Sequence, residues 1–151
     1  MIKNGDFMSR LLSTLSLVAG LAIGGALQRL DNKLNPTTGI RAWSSPTTGR
    51  RASPRRNGKI LLFVHGTFSR SESITDSLNS TAHGREFFAK ARQTYDQIIT
   101  FDHPTLSVSP VLNAIDLARH LSGAQGKIDV ICHSRGGLVV RWWVEALLDD
   151  P

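Results

Sequence analysis

A chain of 151 residues is long enough to bury the core of one domain, and a hydrophobic content of 40% is ordinary for a globular protein. The single cysteine, Cys132, excludes an intramolecular disulfide, and no Cys and His residues have the spacing of a zinc site. No glycine-rich loop ends in Gly-Lys-Ser or Gly-Lys-Thr. We therefore expect neither a metal nor a nucleotide cofactor.

The first segment, residues 1–35, is mainly apolar. Residues 11–27 carry no charge, follow Lys3 and Arg10, and contain small-residue triplets that resemble signal-peptide cleavage sites. Serine and threonine interrupt the run, which falls short of the roughly 20 apolar residues that span a bilayer. Helical spacing of apolar residues continues to Leu34, past any such cleavage site. We predict a packed or membrane-surface helix, with a targeting segment as the alternative, in a cytoplasmic or membrane-associated chain rather than a secreted one.

Residues 36–58 are rich in proline, glycine, serine and threonine and are basic, and they predict a solvated linker. The net charge of +6 is concentrated around this segment, at Arg50, Arg51, Arg55, Arg56 and Lys59. Such a cluster is typical of surfaces that bind nucleic acid or anionic lipid. Because few aromatic residues are present to stack on bases, we expect no nucleic-acid partner. A membrane-surface binding protein that uses this cluster and the first helix is a further alternative.

From residue 59 onward, short apolar runs alternate with helical patterns. The runs predict strands over 59–64, 97–101 and 127–132, and the patterns predict helices over 86–95, 111–121 and 135–148. A continuous apolar run is expected when helices cover both faces of a parallel strand. The alternation predicts an α/β fold, a parallel sheet flanked by helices. In the last helix we expect a buried stripe of Leu138, Val139, Trp142 and Ala146.

The most specific motif follows the third strand, where Cys132-His133-Ser134-Arg135-Gly136 has the pattern small-x-Ser-x-Gly. This pattern is typical of a nucleophile elbow, a sharp strand-to-helix turn that raises a serine Oγ above the sheet. Cys132 stands where the usual motif has glycine, and we expect it to pack as a small side chain at the end of a buried strand. The simpler alternative for Ser134 is a helix cap.

A second motif, His65-Gly66-Thr67-Phe68, follows the first of these strands. The loop after such a strand supplies one N–H group of an oxyanion hole, and the residue after the nucleophile supplies the other. The donors would be the main-chain N–H groups of Thr67 and Arg135. Gly66 would let the backbone approach a bound carbonyl that a Cβ atom would obstruct.

The two motifs together resemble those of the α/β-hydrolase superfamily, in particular its lipase-like and esterase-like branch. They also resemble bacterial hydrolase-like proteins that have the same two motifs. The resemblance runs from about residue 59 to residue 148 and includes the segment 98–104. It implies a serine hydrolase of carboxylic esters or lipids, with Ser134 as nucleophile and with Thr67 and Arg135 as oxyanion-hole donors. The residues expected to line the substrate pocket are His65, Gly66, Phe68, His103 and His133.

The family order is serine, then acid, then histidine, yet no histidine follows Ser134. The chain therefore resembles the amino-terminal part, residues 59–151, of a larger hydrolase domain, and a partner or a missing carboxyl-terminal part would cover the edge of its sheet. An upstream histidine in the role of base is the less favoured alternative. A non-catalytic hydrolase remnant or interaction module is the alternative to an enzyme.

Overall fold

A computed structural model describes residues 4–44 and 47–147, with backbone alone at 4–15, 17–18 and 47–48. The helices are α1 (Asn4–Leu34), α2 (Ser71–Ser80), α3 (Ala82–Thr94), α4 (Pro110–Leu121) and α5 (Arg135–Ala146). The strands are β1 (Gly39–Ser44), β2 (Thr47–Arg51), β3 (Lys59–Val64), β4 (Gln97–Asp102) and β5 (Lys127–Cys132). The molecule has the predicted α/β fold.

The five strands of the described residues form one sheet in the order β2-β1-β4-β3-β5. β3 pairs in parallel with both β4 and β5, which confirms the predicted parallel sheet at its centre. β1 pairs antiparallel with β4, and β2 antiparallel with β1. The sheet is therefore a parallel three-stranded core extended on one side by an antiparallel hairpin.

This hairpin corrects the prediction for residues 36–58, which supply β1 and β2 in place of a linker. In β1, Ile40 is buried at 1% exposure and Trp43 at 6%. Trp43 stacks on Phe88 of α3, with ring centroids 4.0 Å apart. The polar composition of the segment gives no sign that Ile40 and Trp43 are buried. The hairpin is held by its pairing with β4 and not by a local apolar run.

Alternate residues of the central strands enter two separate cores, as expected for strands covered on both faces. On one face, β3 contributes Ile60, Leu62 and Val64, which pack with residues of α4 and α5. On the other face, Leu61 and Phe63 pack with residues of α3. The helices thus form a layer on each side of the sheet, and β3 and β4 are its most deeply buried strands.

The buried stripe of α5 agrees with the prediction at Val139 alone. Leu138 is 51% exposed and Trp142 is 47% exposed, and Ala146 is also exposed. The buried residues are Gly136, Val139 and Trp143. Successive residues of a helix are rotated by 100° about the helix axis. The close contact of Gly136 with β3 therefore turns Trp143 toward the sheet and leaves Trp142 exposed.

β5 is the outer strand of the described sheet on the side away from the hairpin. Although four of its six residues are apolar, its interior residues are only half-buried. A groove of 680 Å³ runs beside it, lined on the apolar side by Ala118, Leu121, Ile128, Val130, Trp143 and Val144. The expected open sheet edge is thus present among the described residues.

The predicted amino-terminal helix is α1, of 31 residues. Its described side chains from Ala19 to Leu30 are exposed, apart from the half-buried Gly25, whereas Asp31 is buried at 1% exposure. The helix therefore joins the body of the protein at its carboxyl-terminal end. Within the described residues, no helix is sufficiently long and apolar to cross a membrane.

Candidate active site

The carboxyl ends of three parallel strands meet at one edge of the sheet. In the register of β3, Val64 lies beside Phe101 of β4 and Cys132 of β5. The loop that begins at His65, the rim loop (residues 103–109) and Ser134 therefore emerge together. Ligands of open α/β sheets bind at this edge.

Ser134 occupies a sharp turn between β5 and α5. Its backbone has φ 51° and ψ −123°, a conformation that residues with a Cβ rarely adopt, and the residue is exposed. The Gly136 N–H donates to the His133 carbonyl and the Gly137 N–H to the Ser134 carbonyl, each at 2.9 Å. Ser134 makes no side-chain capping bond to α5. The helix-cap alternative is therefore wrong, and the strained turn presents the hydroxyl to solvent.

Two glycines allow this turn to approach β3. A Cβ atom on Gly136 would lie 2.5 Å from the Val64 carbonyl oxygen and 2.7 Å from that of His65. A Cβ atom on Gly66 would lie 2.9 Å from both the Ser134 Cβ and the His133 carbonyl oxygen. All four distances are shorter than normal contacts, so side chains at these positions would displace the serine turn.

The main chain around Ser134 offers donors for a developing negative charge. Arg135 is the first residue of α5, where N–H groups point out of the helix and favour anions. Thr67 is exposed, and the next residue, Phe68, has the left-handed φ of 55°. The Arg135 side chain is directed elsewhere, because it donates to the Val108 carbonyl of the rim loop. The part of Arg135 that lies at the serine turn is therefore its backbone, at the start of α5.

His65 is fully buried, with both ring nitrogens engaged. Its Nδ1 donates to the Gly66 carbonyl at 3.0 Å, and its Nε2 accepts from the His103 backbone N–H at 3.1 Å. Burial lowers the pKa of His65, and the Gly66 carbonyl and the Asp102 carboxylate only partly oppose it. His65 is thus a neutral residue that orders the loop, which corrects its predicted place in the pocket lining.

His103 is also fully buried, and it too does not line an open pocket. Its ring stacks between His65 and Phe101, at centroid distances of 4.2 and 5.3 Å. Burial lowers the pKa of His103 to about 3, and the positive charge of Arg135 acts in the same direction. His103 is buried because its ring stacks with these two rings beneath the loop. The sequence of the rim loop gives no sign of this stacking.

Of the residues predicted to line the pocket, Phe68 and His133 are exposed, and Cys132 is exposed beside them. Phe68 is 66% exposed. The exposure of Cys132 contradicts its predicted packing in a buried strand end, because β5 is an outer strand of the described sheet. Cys132 and His133 line a cavity of 450 Å³ together with Ser69, Ser73, Ile74, Ser77, Leu78 and Ile131. Ser69, from the chain between β3 and α2, and Ser73, from α2, thus contribute to a space beside the serine.

Within the described residues, no histidine hydrogen-bonds to the Ser134 hydroxyl. His83 is exposed on α3. His120 lies on α4, 3.7 Å from Asp116 and against Gly39 of β1. Among the acidic residues that follow Ser134, Glu145 pairs with Arg141 on the surface of α5 at 2.9 Å. The described site therefore holds a serine and main-chain donors without a histidine base in contact.

Asp31 is a supporting residue that the sequence analysis did not identify. Its carboxylate accepts from the backbone N–H groups of Thr105, Leu106 and Ser107 and from the Ser107 hydroxyl, at 2.6–3.0 Å. The Phe68 N–H in turn donates to the Thr105 hydroxyl at 3.3 Å. Burial raises the pKa of Asp31, but these bonds outweigh it and hold the pKa below its ordinary value. The sequence offered one signal of this role, an acidic residue directly after Leu30 within the apolar spacing of the helix.

Asp102 is a second supporting residue, at the end of β4. One carboxylate oxygen accepts from the Ser71 N–H at 2.8 Å, at the start of α2, and lies 3.7 Å from the His65 Nε2. A carboxylate at a helix amino terminus is favourable because the N–H groups there lack partners within the helix. Asp102 therefore fixes α2 beside the cavity.

The chain was compared with known proteins at the level of sequence and of structure. A search of curated proteins found no match, and a search of solved structures found none. Residues 29–150 match the family described as a domain of unknown function, DUF7379. The match begins within α1 and includes the hairpin, the rim loop and the serine turn. Because it covers more than half of the chain, the protein belongs to the DUF7379 family.

Proposed function

We propose that this protein carries the nucleophile and oxyanion hole of a serine hydrolase that acts on carboxylic esters or lipids. The observation that carries the proposal is the conformation of Ser134, a non-glycine residue with φ 51° on a strand-to-helix turn. Strained backbone of this kind is retained where the surrounding structure enforces it, often at functional sites. A serine that served only to cap α5 would require no such strain.

In the proposed reaction, the Ser134 Oγ attacks the acyl carbon of the ester. The carbonyl oxygen becomes a tetrahedral oxyanion that the N–H groups of Arg135 and Thr67 stabilise. Collapse of this intermediate expels the alcohol, which takes up the proton that the base removed from the Ser134 hydroxyl, and leaves an acyl-serine. Water activated by the same base then hydrolyses the acyl-serine, which releases the carboxylic acid and restores the Ser134 hydroxyl. The dipole of α5 supports the first donor, since Arg135 begins the helix.

The cavity beside the serine favours an uncharged acyl group. Its lining contains the apolar side chains of Ile74, Leu78 and Ile131 and several serine hydroxyls, and no Lys, Arg, Asp or Glu. Its 450 Å³ volume falls within the usual range of small-molecule sites. This lining supports an ester or lipid substrate in preference to an anionic one.

The base that activates Ser134 would come from residues outside those described. His65 has both ring nitrogens engaged in hydrogen bonds, and the buried His103, with a pKa of about 3, is too weak a base to hold the Ser134 proton. The free edge of β5, next to the serine turn, is where further elements with a histidine and an acid would join the sheet. The resemblance to α/β-hydrolases supports the same arrangement, with acid and histidine after the serine.

A second candidate is a non-catalytic interaction module that retains this fold. This candidate is favoured because, within the described residues, no histidine hydrogen-bonds to the Ser134 hydroxyl. The two candidates differ in the reactivity of Ser134, because donors that form an oxyanion hole stabilise the charge that develops when this serine attacks an electrophile, and an interaction module needs no such donors.

The test is reaction of the folded chain with a fluorophosphonate, followed by peptide mass spectrometry. We expect a slow adduct on Ser134 that is lost in Ser134→Ala and retained in Ser122→Ala, a matched change at the end of α4. Circular dichroism checks that each variant is folded. A folded chain without an adduct on Ser134, or with equal adducts on several serines, would support the interaction module.

A further inference from the structure

The carboxyl-terminal half of α1 exposes large apolar side chains. Leu21 is 68% exposed, Ile23 61% and Leu30 42%. Cβ atoms built on Gly20 and Gly24 meet no atom within 4 Å, so nothing packs against this part of the helix within the described residues. An exposed apolar patch of this kind marks a surface for interaction with protein or membrane.

The distribution of these side chains favours lipid over a protein partner. Leu21 and Leu30 are nine positions apart, which is two and a half helical turns, so they lie on opposite sides of α1. A protein surface covers one stripe of a helix, whereas a helix that is apolar around its circumference requires an apolar medium. Lipid acyl chains supply such a medium.

The charges of α1 match an anionic membrane surface. Residues 11–27 carry no charge, Arg10 precedes them, and Arg29 and Lys33 follow. The uncharged segment makes about 26 Å of helix, less than the roughly 30 Å of a hydrocarbon core. We propose that α1 inserts at a shallow angle into one leaflet of a bilayer with anionic lipids, with its uncharged segment among the acyl chains and Arg29 and Lys33 among the headgroups.

This membrane-bound helix would be joined to the candidate site. Asp31, one residue after Leu30, accepts hydrogen bonds from Thr105 and Ser107 of the rim loop. The Thr105 hydroxyl also accepts from the Phe68 N–H. Lipid bound to α1 therefore lies next to the element that supports the serine site, whatever reaction that site performs.

The test is co-sedimentation of the full chain with vesicles of phosphatidylcholine, alone or mixed with phosphatidylglycerol. We expect binding that is stronger with phosphatidylglycerol and weakened by salt. The double variant Leu21→Glu/Ile23→Glu should lower the affinity about tenfold or more, because two apolar side chains no longer enter lipid. Leu112→Glu is the matched control, since Leu112 is 57% exposed on α4.

Arg29→Gln/Lys33→Gln provides a second variant that leaves the apolar side chains intact. It should abolish the preference for phosphatidylglycerol. In addition, Ile23→Trp should give fluorescence that brominated phosphatidylcholine quenches. Absence of vesicle binding, concentration-dependent self-association without vesicle binding, or equal losses in Leu21→Glu/Ile23→Glu and Leu112→Glu would overturn the proposal.

Discussion

Gly66 and Ser134 are in such close contact that a Cβ atom on Gly66 would lie 2.9 Å from the Ser134 Cβ. The contact joins the loop after β3 to the turn after β5, and it brings the two conspicuous motifs of the sequence together. Each motif alone is compatible with an ordinary turn. Their contact is the spatial relationship that an acyl-transfer site needs, since donors and nucleophile must surround one carbonyl group.

Substitution of Gly66 by alanine should disturb this contact. The new Cβ would meet the His133 carbonyl and the Ser134 Cβ, so the loop or the serine turn must move. We expect Gly66→Ala to lower the free energy of unfolding by about 1–3 kcal/mol and to slow fluorophosphonate labelling of Ser134. Urea denaturation and mass spectrometry measure the two effects. Gly123→Ala, where the Cβ meets open space, should change neither.

Relief of strain at Ser134 should stabilise the fold. Its φ of 51° and ψ of −123° are accessible to glycine at little cost. We expect Ser134→Gly to be more stable than Ser134→Ala by about 1–2 kcal/mol in urea denaturation. At Ser122, whose backbone is right-handed helical, the order should reverse, with glycine the less stable. Equal stabilities of the two Ser134 variants would show that the turn is unstrained.

Acid should destabilise the protein through His103. The pKa of His103 is about 3 in the folded state against an ordinary value of 6.5. Between these values the unfolded chain binds the proton and the folded chain does not, so stability falls as the pH is lowered through this window. His103 alone should lower the free energy of unfolding by about 2 kcal/mol between pH 7 and pH 5.

The check on His103 is the slope of stability with pH. His103→Phe retains a ring in the stack and removes the titrating group, so the slope between pH 7 and pH 5 should become shallower; the lowered pKa of His65 supplies the remainder. His83→Asn, at an exposed position on α3, serves as control. A slope that is the same in His103→Phe as in the parent chain would contradict the assignment. Asp31, whose pKa is lowered from 3.8, acts only at more acidic pH.

Neutralisation of Asp31 should release α1 from the rim loop. In Asp31→Asn, an amide N–H₂ would face the backbone N–H donors of Leu106 and Ser107. We expect a loss of about 3 kcal/mol, because hydrogen bonds to a buried charge are replaced by opposed donors. Thermal or urea unfolding measures the loss, and faster proteolysis within residues 103–109 would locate it. Asp76→Asn, an exposed change on α2, should cause neither effect.

The predictions made from the sequence agree best with the structure where a local pattern of apolar residues forms an element that is also buried in the fold. The bounds predicted for β3 and β5, 59–64 and 127–132, are those observed, because continuous apolar runs end abruptly at turns. α2 was not predicted, because its polar sequence has only a short apolar spacing and its start depends on Asp102, 31 residues away. The hairpin was missed for the same reason, since its pairing with β4 is a long-range contact.

The histidines show how far the candidate site could be predicted from the sequence alone. The sequence supplies five, and any of them is chemically able to act as a base. Only the packed structure distinguishes His65 and His103, which are fully buried beneath the loop, from the exposed His133. Burial sets their protonation because a charged ring loses its hydration, and burial depends on neighbours that are distant in the chain.

The sequence by itself determined the central strands, the helical pattern around them and the turn that presents Ser134, because these follow from residue spacing, from small residues and from apolar runs that act locally. The tertiary structure alone decided which stripe of α5 is buried, that residues 39–51 extend the sheet, that His65 and His103 are neutral, and that Asp31 ties α1 to the rim loop. Those features depend on contacts between residues far apart in the chain, whose energies exceed local preference.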